Sequence, residues 1–230
     1  AGESMTSAQP MRAVDCAGQS TPRFATPRAM LEAMEAATCG LAADACVRNF
    51  VGVIDSMELD HLVCETELFP ADALDFYTHL NLGGAVPTPP DVLARMDVLR
   101  GKYYAFTRGG SQGDYRAGMA AKVDDVVDCL RSHPGSKRAL LCVPYSSGRQ
   151  SHEVQHSDTD EAKCLREIHF FIDASDGRVH ATGFMRAQAA VIFPKNIHMI
   201  GCLLGGIAAR LQRQPGTYTH FVTTLVNGRE

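Results

Sequence analysis

Long apolar runs, the residue pattern of a secretory leader and paired cysteines are all missing from this 230-residue sequence. Its longest apolar stretches, residues 139–145 and 197–209, are too short or too glycine-rich to cross a bilayer as a helix. The first residues do not show the charged region and following apolar stretch that mark a secretory signal. We therefore expect a cytoplasmic protein that does not contact a membrane.

The eight cysteines lack the spacing of a disulfide framework or of a metal-binding CxxC pair. We interpret them as reduced thiols, most of which fill the core. An excess of positive charge is also missing, because 22 Lys and Arg stand against 26 Asp and Glu, for a net charge of -4. This balance argues against a general nucleic-acid surface but allows a small cationic pocket for one phosphate.

Two further motifs are incomplete. The glycine-rich segment 108–113 matches neither the P-loop nor the dinucleotide-binding pattern, so a solvent loop is favoured over a phosphate cradle. The polar segment 148–163 contains His152, Glu153, His156 and Asp158, but their spacing matches no tight metal site. We predict no metal centre.

Hydrophobic periodicity and turn residues predict a mixed α/β fold. Residues 1–25, rich in small and polar residues, are predicted to be a flexible arm, and residues 26–230 a single domain. The predicted helices are 26–40, 72–80, 91–99, 123–130 and 197–211. The predicted strands are 47–54, 61–68, 139–143, 164–172, 178–186 and 218–226. The strands 164–172 and 178–186 form a hairpin about Asp176-Gly177.

This hairpin places Cys164 at the head of its first strand and Arg186 at the end of its second. A guanidinium there favours a thiolate and can bind a phosphate. A cysteine with nearby histidines also suits a Cys-His hydrolase. His169, however, lies five residues after Cys164 and therefore on the opposite face of a strand. Local pattern alone favours a buried structural role for Cys164.

The order of the segments from Tyr115 to Tyr218 resembles the thymidylate synthase and pyrimidine nucleotide hydroxymethylase superfamily. That family has an acidic amphipathic helix, a cationic pair before a strand, a catalytic cysteine, a hairpin, an arginine, and a Pro-x-Asn element before a long helix. The corresponding residues here are 123–130, Lys137-Arg138, Cys164, His169-Phe170, Asp176-Gly177, Arg186 and Pro194-Lys195-Asn196. The resemblance implies a mixed sheet flanked by helices, with one sheet face used for dimerisation.

The resemblance also implies folate-dependent one-carbon transfer, as methylation or hydroxymethylation, to C5 of a pyrimidine nucleotide. In such a reaction Cys164 adds as a thiolate to C6, and C5 then attacks the methylene carbon of 5,10-methylenetetrahydrofolate. Arg186 is expected to bind the substrate phosphate. By the same resemblance, Lys137 and Arg138 reach the phosphate in the other subunit of a homodimer.

Four more assignments follow from the resemblance. Asn196 matches the base-reading amide and favours a uridylate. His169 stands in place of a glutamine and is assigned to the base. Tyr115 matches the tyrosine that closes the pocket, and Asp75 stands where the family keeps an acid/base glutamate.

Several matched positions depart from the family pattern. The replacements are Lys163 and Leu165 beside the cysteine, Ala187 and Ala189 beside the arginine, and Val226 and Gly228 at sugar-reading positions. The sequence also stops before the family's segment that closes over folate. These departures leave two alternatives open. One is a divergent member that acts on a non-standard substrate or without folate, for example in specialised nucleoside biosynthesis, and the other is a non-catalytic nucleotide-binding homologue.

Overall fold

The computed structural model describes residues 20–42, 44–107, 115–143 and 163–228, which form five α-helices and seven strands. The helices are α1 (Pro27–Thr38), α2 (Ala71–Leu82), α3 (Pro90–Thr107), α4 (Met119–Ser132) and α5 (Phe193–Arg210). The strands are β1 (Arg23–Phe24), β2 (Val47–Ile54), β3 (Leu140–Cys142), β4 (Leu165–Ile172), β5 (Val179–Met185), β6 (Gln188–Ala189) and β7 (Pro215–Val226).

All seven strands belong to one mixed sheet with the order β1-β2-β7-β5-β4-β3, and β6 pairs with the end of β7. The central strand β7 is antiparallel to β2 and parallel to β5. The strands β5, β4 and β3 are successively antiparallel, so the predicted hairpin is present as β4 and β5. A bulge between Leu165 and Glu167 shifts the register at the start of β4.

The two faces of the sheet have different environments. One face packs against α1, α4 and α5, and buries every second residue of β4, such as Ile168, Phe170 and Ile172. The opposite face, here called the outer face, has no covering element among the described residues. Its half-buried side chains include three aromatic residues, Phe171, Phe184 and Phe221.

Helix α5 lies at the centre of the core. Its Met199, Leu203 and Ile207 are fully buried, at the spacing expected for an inward helix face. By length and composition the segment Ala190–Arg210 could cross a membrane, but 72% of its most apolar window is buried inside the protein. Such burial is typical of a core helix.

The mixed α/β class and the sheet flanked by helices are confirmed. The predicted strand 61–68 is wrong. A 3₁₀ turn occupies Leu59–His61, and the residues after it are irregular. Leu62 and Cys64 are buried while Val63 is exposed, so the alternation that suggested a strand is real. It arises because this irregular segment packs on α5 through Leu62 and does not lie beside another strand.

Two boundaries also differ from expectation. The helix predicted at 91–99 continues to Thr107 as α3. At the N-terminal side, β1 pairs in parallel with the end of β2, so Arg23 and Phe24 of the predicted arm belong to the sheet. Residues 1–19 lie outside the described part of the chain.

Candidate active site

The first turn of α5 organises the candidate site. Pro194 lies in that turn, where its missing N–H has no helical partner to lose. The next residues, Lys195 and Asn196, are only 1% and 4% exposed. Both contact Tyr77 of α2. The Lys195 Nζ lies 4.6 Å from the Tyr77 ring centre, and the Tyr77 hydroxyl donates to Asn196 Oδ1 at 3.2 Å.

The Asn196 amide is oriented from both ends. Its Nδ2 donates to Gln188 Oε1 at 2.9 Å, and Gln188 Nε2 donates to the backbone oxygen of Ala189 at 2.6 Å. Because Tyr77 occupies one lone pair of Oδ1, the amide retains one N–H and one lone pair for a ligand. Asn196 thus presents a donor and an acceptor in a fixed orientation.

Tyr115 joins this cluster from the segment before α4. Its backbone N–H donates to Asn81 Oδ1 at 2.7 Å, and its side chain is 3% exposed. The hydroxyl contacts that of Tyr77 and hydrogen-bonds the backbone of Leu165. Burial, and next the charge of Cys164, raise the pKa of the Tyr115 hydroxyl well above its usual value. Tyr115 therefore keeps its proton and serves as a hydrogen-bonding group.

Cys164 and Arg186 meet at the open end of the β4–β5 hairpin. The Arg186 N–H donates to the Cys164 carbonyl oxygen at 2.9 Å, which extends the pairing of the two strands by one step. The half-buried Cys164 packs against the core, and its charge acts on both Tyr115 and Lys195. Arg186 also acts on Tyr115. A thiol, a guanidinium and a buried ammonium therefore converge here.

Lys195 is in an unusual environment for an ammonium group. Burial lowers the pKa of Lys195 from 10.5 to about 8, and the charge of Cys164 opposes this shift. Its Nζ faces the rings of Tyr77 and Phe69, at 4.6 and 5.8 Å from their centres. Aromatic faces attract a cation, whereas the N-terminus of a helix repels it.

Asp75 is not part of this cluster. It lies two residues before Tyr77 and therefore on the opposite side of α2. Its carboxylate is 3.9 Å from His198 Nε2, and both line a separate groove of about 1640 Å³ with Cys202. Burial, and next the charge of Asp91, raise the pKa of Asp75. The geometry does not support the assignment of Asp75 as an acid/base group beside Cys164.

His169 is also outside the cluster. It pairs with the exposed Thr182 of β5 and lies on the outer face, 6.5 Å from Phe171 between ring centres. Its Nε2 is buried and has no hydrogen-bond partner within the described residues. His169 and Cys164 are therefore not brought together, and the geometry does not support a base-binding role for His169 in this chain's own site.

Lys137 and Arg138 are exposed and precede β3 at the far end of the sheet. The next residue, Ala139, accepts a hydrogen bond from the Phe170 N–H. Six residues separate Phe170 from Cys164, which corresponds to about 20 Å along a strand. Within one chain, the cationic pair is thus remote from Cys164 and Arg186. The segments 108–113 and 148–162, with the predicted solvent loop and His152 and His156, lie outside the described residues.

Three residues of the cluster received no role from the sequence: Lys195, Tyr77 and Gln188. The sequence did indicate that Lys195 is buried, because it precedes Met199 by four residues and so shares its inward helix face. Tyr77 lies within the predicted helix 72–80, where its hydroxyl gave no indication of a partner. Gln188 had no local signal.

Neither a protein-family model nor a curated protein matches the sequence. The fold, in contrast, is similar to those of solved structures. Thymidylate synthase from T4 phage is 11% identical, with a TM-score of 0.56 over 85% of this chain and 74% of that one. The thermostable thymidylate synthase A from Bacillus subtilis is 12% identical, with a TM-score of 0.54 over 88% of this chain and 79% of that one. The chain therefore has the thymidylate synthase fold.

Proposed function

We propose that this protein is an enzyme that adds the Cys164 thiolate to C6 of a uridylate and thereby activates C5 for one-carbon transfer. The main support is the convergence of Cys164, Arg186, Tyr115 and Asn196 at one end of the sheet. The two tyrosines link them, because Tyr77 contacts both Tyr115 and Asn196.

Each of these groups has a role that suits its chemistry. Arg186 offers a planar set of donors to the substrate phosphate. The remaining N–H and lone pair of Asn196 match O4 and N3–H of uracil, whereas cytosine presents the reverse pair. Because Gln188 and Tyr77 hold the amide in one orientation, it cannot turn to accept cytosine without losing both bonds. Uridylate is therefore the favoured substrate.

The chemical step begins at the sulfur. Addition of the Cys164 thiolate forms a bond to C6, and the electron pair of the C5=C6 bond moves toward C5 and O4. The carbon at C5 then becomes a nucleophile for a one-carbon electrophile. Tyr115, which keeps its proton, hydrogen-bonds Tyr77 and thereby supports the orientation of Asn196 toward the base.

Methylenetetrahydrofolate is the one-carbon donor that the resemblance implies, but the described residues fit it poorly at one position. Ala189 stands where the family has an aspartate on the folate side. A Cβ at Gly228 would lie 2.7 Å from the Ala189 Cβ, so two small residues fill this place and no carboxylate is supplied there. This difference favours a one-carbon donor that is not folate, or an altered folate.

We further propose a homodimer that shares its sites. Lys137 and Arg138 lie about 20 Å from Cys164 along β4 and cannot serve the phosphate site of their own chain. The outer face, where the half-buried Phe171, Phe184 and Phe221 lie beside His169 and Thr182, offers aromatic contacts to a second copy. Packing of two outer faces can bring the cationic pair of one chain to the partner's Arg186.

Release of tritium from C5-labelled nucleotides tests the reaction. The protein is incubated with labelled dUMP, UMP, dCMP and CMP, with and without methylenetetrahydrofolate. We expect release from a uridylate by the wild type and none by Cys164→Ala. Cys202→Ala, which removes a half-buried cysteine of the separate groove, should release tritium at the wild-type rate. Absence of release from all four nucleotides would exclude C5 activation.

The folate arm of the same experiment separates the alternatives. Release that requires methylenetetrahydrofolate supports the implied donor despite Ala189. Release without it supports a divergent enzyme that activates C5 independently of folate. Binding of a uridylate without any release supports a nucleotide-binding homologue that does not catalyse the reaction.

A further inference from the structure

We propose that Lys195 is a catalytic residue of the Cys164 site and that its amine removes the hydrogen from C5 of the pyrimidine. This inference rests on the proposed function and identifies the proton acceptor that the reaction needs. Replacement of the C5 hydrogen by any electrophile requires such an acceptor.

The position of Lys195 suits this role. It precedes Asn196, the proposed reader of the base, and its Nζ faces the ring of Tyr77, whose hydroxyl contacts Asn196 and Tyr115. The charge of Cys164 acts on Lys195 and favours its ammonium form. A ring held by Asn196 and attacked at C6 by Cys164 therefore lies beside the Lys195 amine.

The other candidates for a base are unsuitable. Asp75 lies on the opposite side of α2 and lines a different groove. His169 lies on the outer face of the sheet. Tyr115 is in the cluster, but burial raises its pKa, so its hydroxyl does not ionise near neutral pH. Of the described residues in this cluster, Lys195 is the one able to accept a proton.

The charge state of Lys195 supports the assignment. Burial lowers its pKa to about 8, so a substantial fraction is neutral amine slightly above neutral pH. Two titratable groups act on Lys195 itself, Tyr77 from α2 through its ring and Cys164 before β4 through its charge. Tyr115 before α4 and Arg186 after β5 adjoin these two groups. Cys164, when ionised, favours the ammonium, and burial favours the amine.

The exchange of hydrogen at C5 needs no one-carbon donor. The Cys164 thiolate bonds to C6 while the C5=C6 electron pair takes a proton from water at C5. The Lys195 amine then removes the hydrogen that C5 carried originally, and the electron pair of that C–H bond re-forms C5=C6. The sulfur leaves as thiolate with its electron pair, and Lys195 passes the proton to solvent. Tritium at C5 is thereby released.

Two substitutions separate proton transfer from charge. Lys195→Met removes both the base and the charge, whereas Lys195→Arg keeps a charge that does not deprotonate. We expect both variants to lose tritium release by at least about 100-fold, the usual contribution of a general base. The wild-type rate should rise as the pH increases through about 8, where Lys195 loses its proton, and both variants should lack this contribution to the pH dependence.

A second readout requires no substrate. The rate of alkylation of Cys164 by iodoacetamide at pH 7, followed by mass spectrometry of its peptide, reports the effect of the Lys195 charge on the thiol. We expect Lys195→Met to slow alkylation severalfold and Lys195→Arg to preserve it. Lys122→Met is the matched control, since Lys122 is also a buried lysine, but its Nζ donates to the Val143 carbonyl oxygen. Circular dichroism verifies that each variant is folded.

The outcomes distinguish the two proposals. If the wild type releases tritium and Lys195→Met does so at a similar rate, Lys195 is not the base, although C5 activation stands. If Lys195→Arg retains release, the residue acts through its charge alone, and the proposed base is wrong. If the wild type releases tritium from no nucleotide, both proposals fail. Alkylation then shows whether Lys195 still acts on Cys164.

Discussion

Lys195 lies in the first turn of α5, where burial and the helix dipole both disfavour a positive charge. Its proximity to Cys164 offsets this only in part, because the pKa remains near 8. An apolar residue of similar length would be accommodated more easily at this position. A residue that costs stability at the centre of a candidate site is expected to have a functional role.

The lowered pKa of Lys195 makes the stability of the protein depend on pH. Because the folded pKa of Lys195 is about 8 and its ordinary value is 10.5, the unfolded chain binds more protons between these values. Its contribution to the free energy of unfolding therefore rises with pH through this window. At about 1.4 kcal/mol per pKa unit, the wild type should gain about 1 kcal/mol relative to Lys195→Met between pH 7 and 9. Urea unfolding at both pH values measures this.

Cys202 opposes the rise of stability with pH, and it does so equally in the wild type and in Lys195→Met. Burial raises the pKa of Cys202 to about 12, so its thiol favours the unfolded chain as pH rises above its ordinary value. This contribution cancels when the variant is subtracted from the wild type. Lys122→Met provides a comparison, because the pKa of Lys122 is also lowered to about 8 by burial. Parallel pH curves for the wild type and Lys195→Met would show that Lys195 has an ordinary pKa.

At the scale of single residues, the resemblance in segment order supplied the assignments, because local pattern alone favoured a structural role for Cys164. Cys164, Arg186 and Asn196 were named from type and order, and they meet in the structure. Asp75 was assigned from its approximate position in a helix, and a shift of two residues reverses the side on which a side chain lies. Tyr77 lies on the side of α2 that faces Asn196, and its approximate position in the predicted helix did not indicate this.

Among the helices and strands, α5 packs closely at one of its glycines and loosely at the next. A Cβ at Gly201 would lie 2.3 and 2.4 Å from the two Cδ atoms of the fully buried Leu62. At Gly205, four residues later on the same helix, the nearest atom would be 3.8 Å away, which is ordinary contact. An added Cβ would therefore clash at Gly201 but fit at Gly205, one helical turn later.

We predict that Gly201→Ala lowers the free energy of unfolding by about 1–3 kcal/mol, because overpacking outweighs the better helix propensity of alanine. Gly205→Ala should raise it by up to about 1 kcal/mol, because only the propensity changes. Thermal or urea unfolding of the two variants measures the difference. Equal effects of the two substitutions would mean that Leu62 does not lie against α5 as described.

The error at residues 61–68 has a related cause. Alternating burial is a property of any extended chain with one side against the protein, and it does not specify what covers that side. Here α5 covers the buried side through the contact of Leu62 with Gly201, and no strand pairs with residues 61–68. The hairpin of β4 and β5 was predicted correctly because its turn and both strands are contiguous in the sequence. Local signals are sufficient only for such local pairings.

For the whole molecule, the remote cationic pair predicts that two chains build one site. Mixing Cys164→Ala with Arg138→Ala, after unfolding and refolding together, should produce mixed dimers with one intact site each. Random pairing makes half of the dimers mixed, so tritium release should reach about one quarter of the wild-type value. Each variant alone should be nearly inactive. A mixture no more active than its components would contradict shared sites.

The strand order shows what the sequence leaves open at this scale. Composition and periodicity predicted a mixed α/β fold, and the resemblance supplied its likeness to thymidylate synthases. Neither indicated that β7 lies between β2 and β5, because this pairing joins residues far apart in the chain. The meeting of Tyr77, Lys195 and Cys164 depends on such long-range contacts and was therefore not predicted.

The central position of β7 has a consequence for biosynthesis. A ribosome that has made residues up to Arg210 has made β2 on one side and β3, β4 and β5 on the other, but not the strand that joins them. Until β7 emerges, the facing edges of β2 and β5 remain unpaired, and exposed edges invite association with other chains. The nascent protein should therefore depend on chaperones until residues 215–226 have left the exit tunnel.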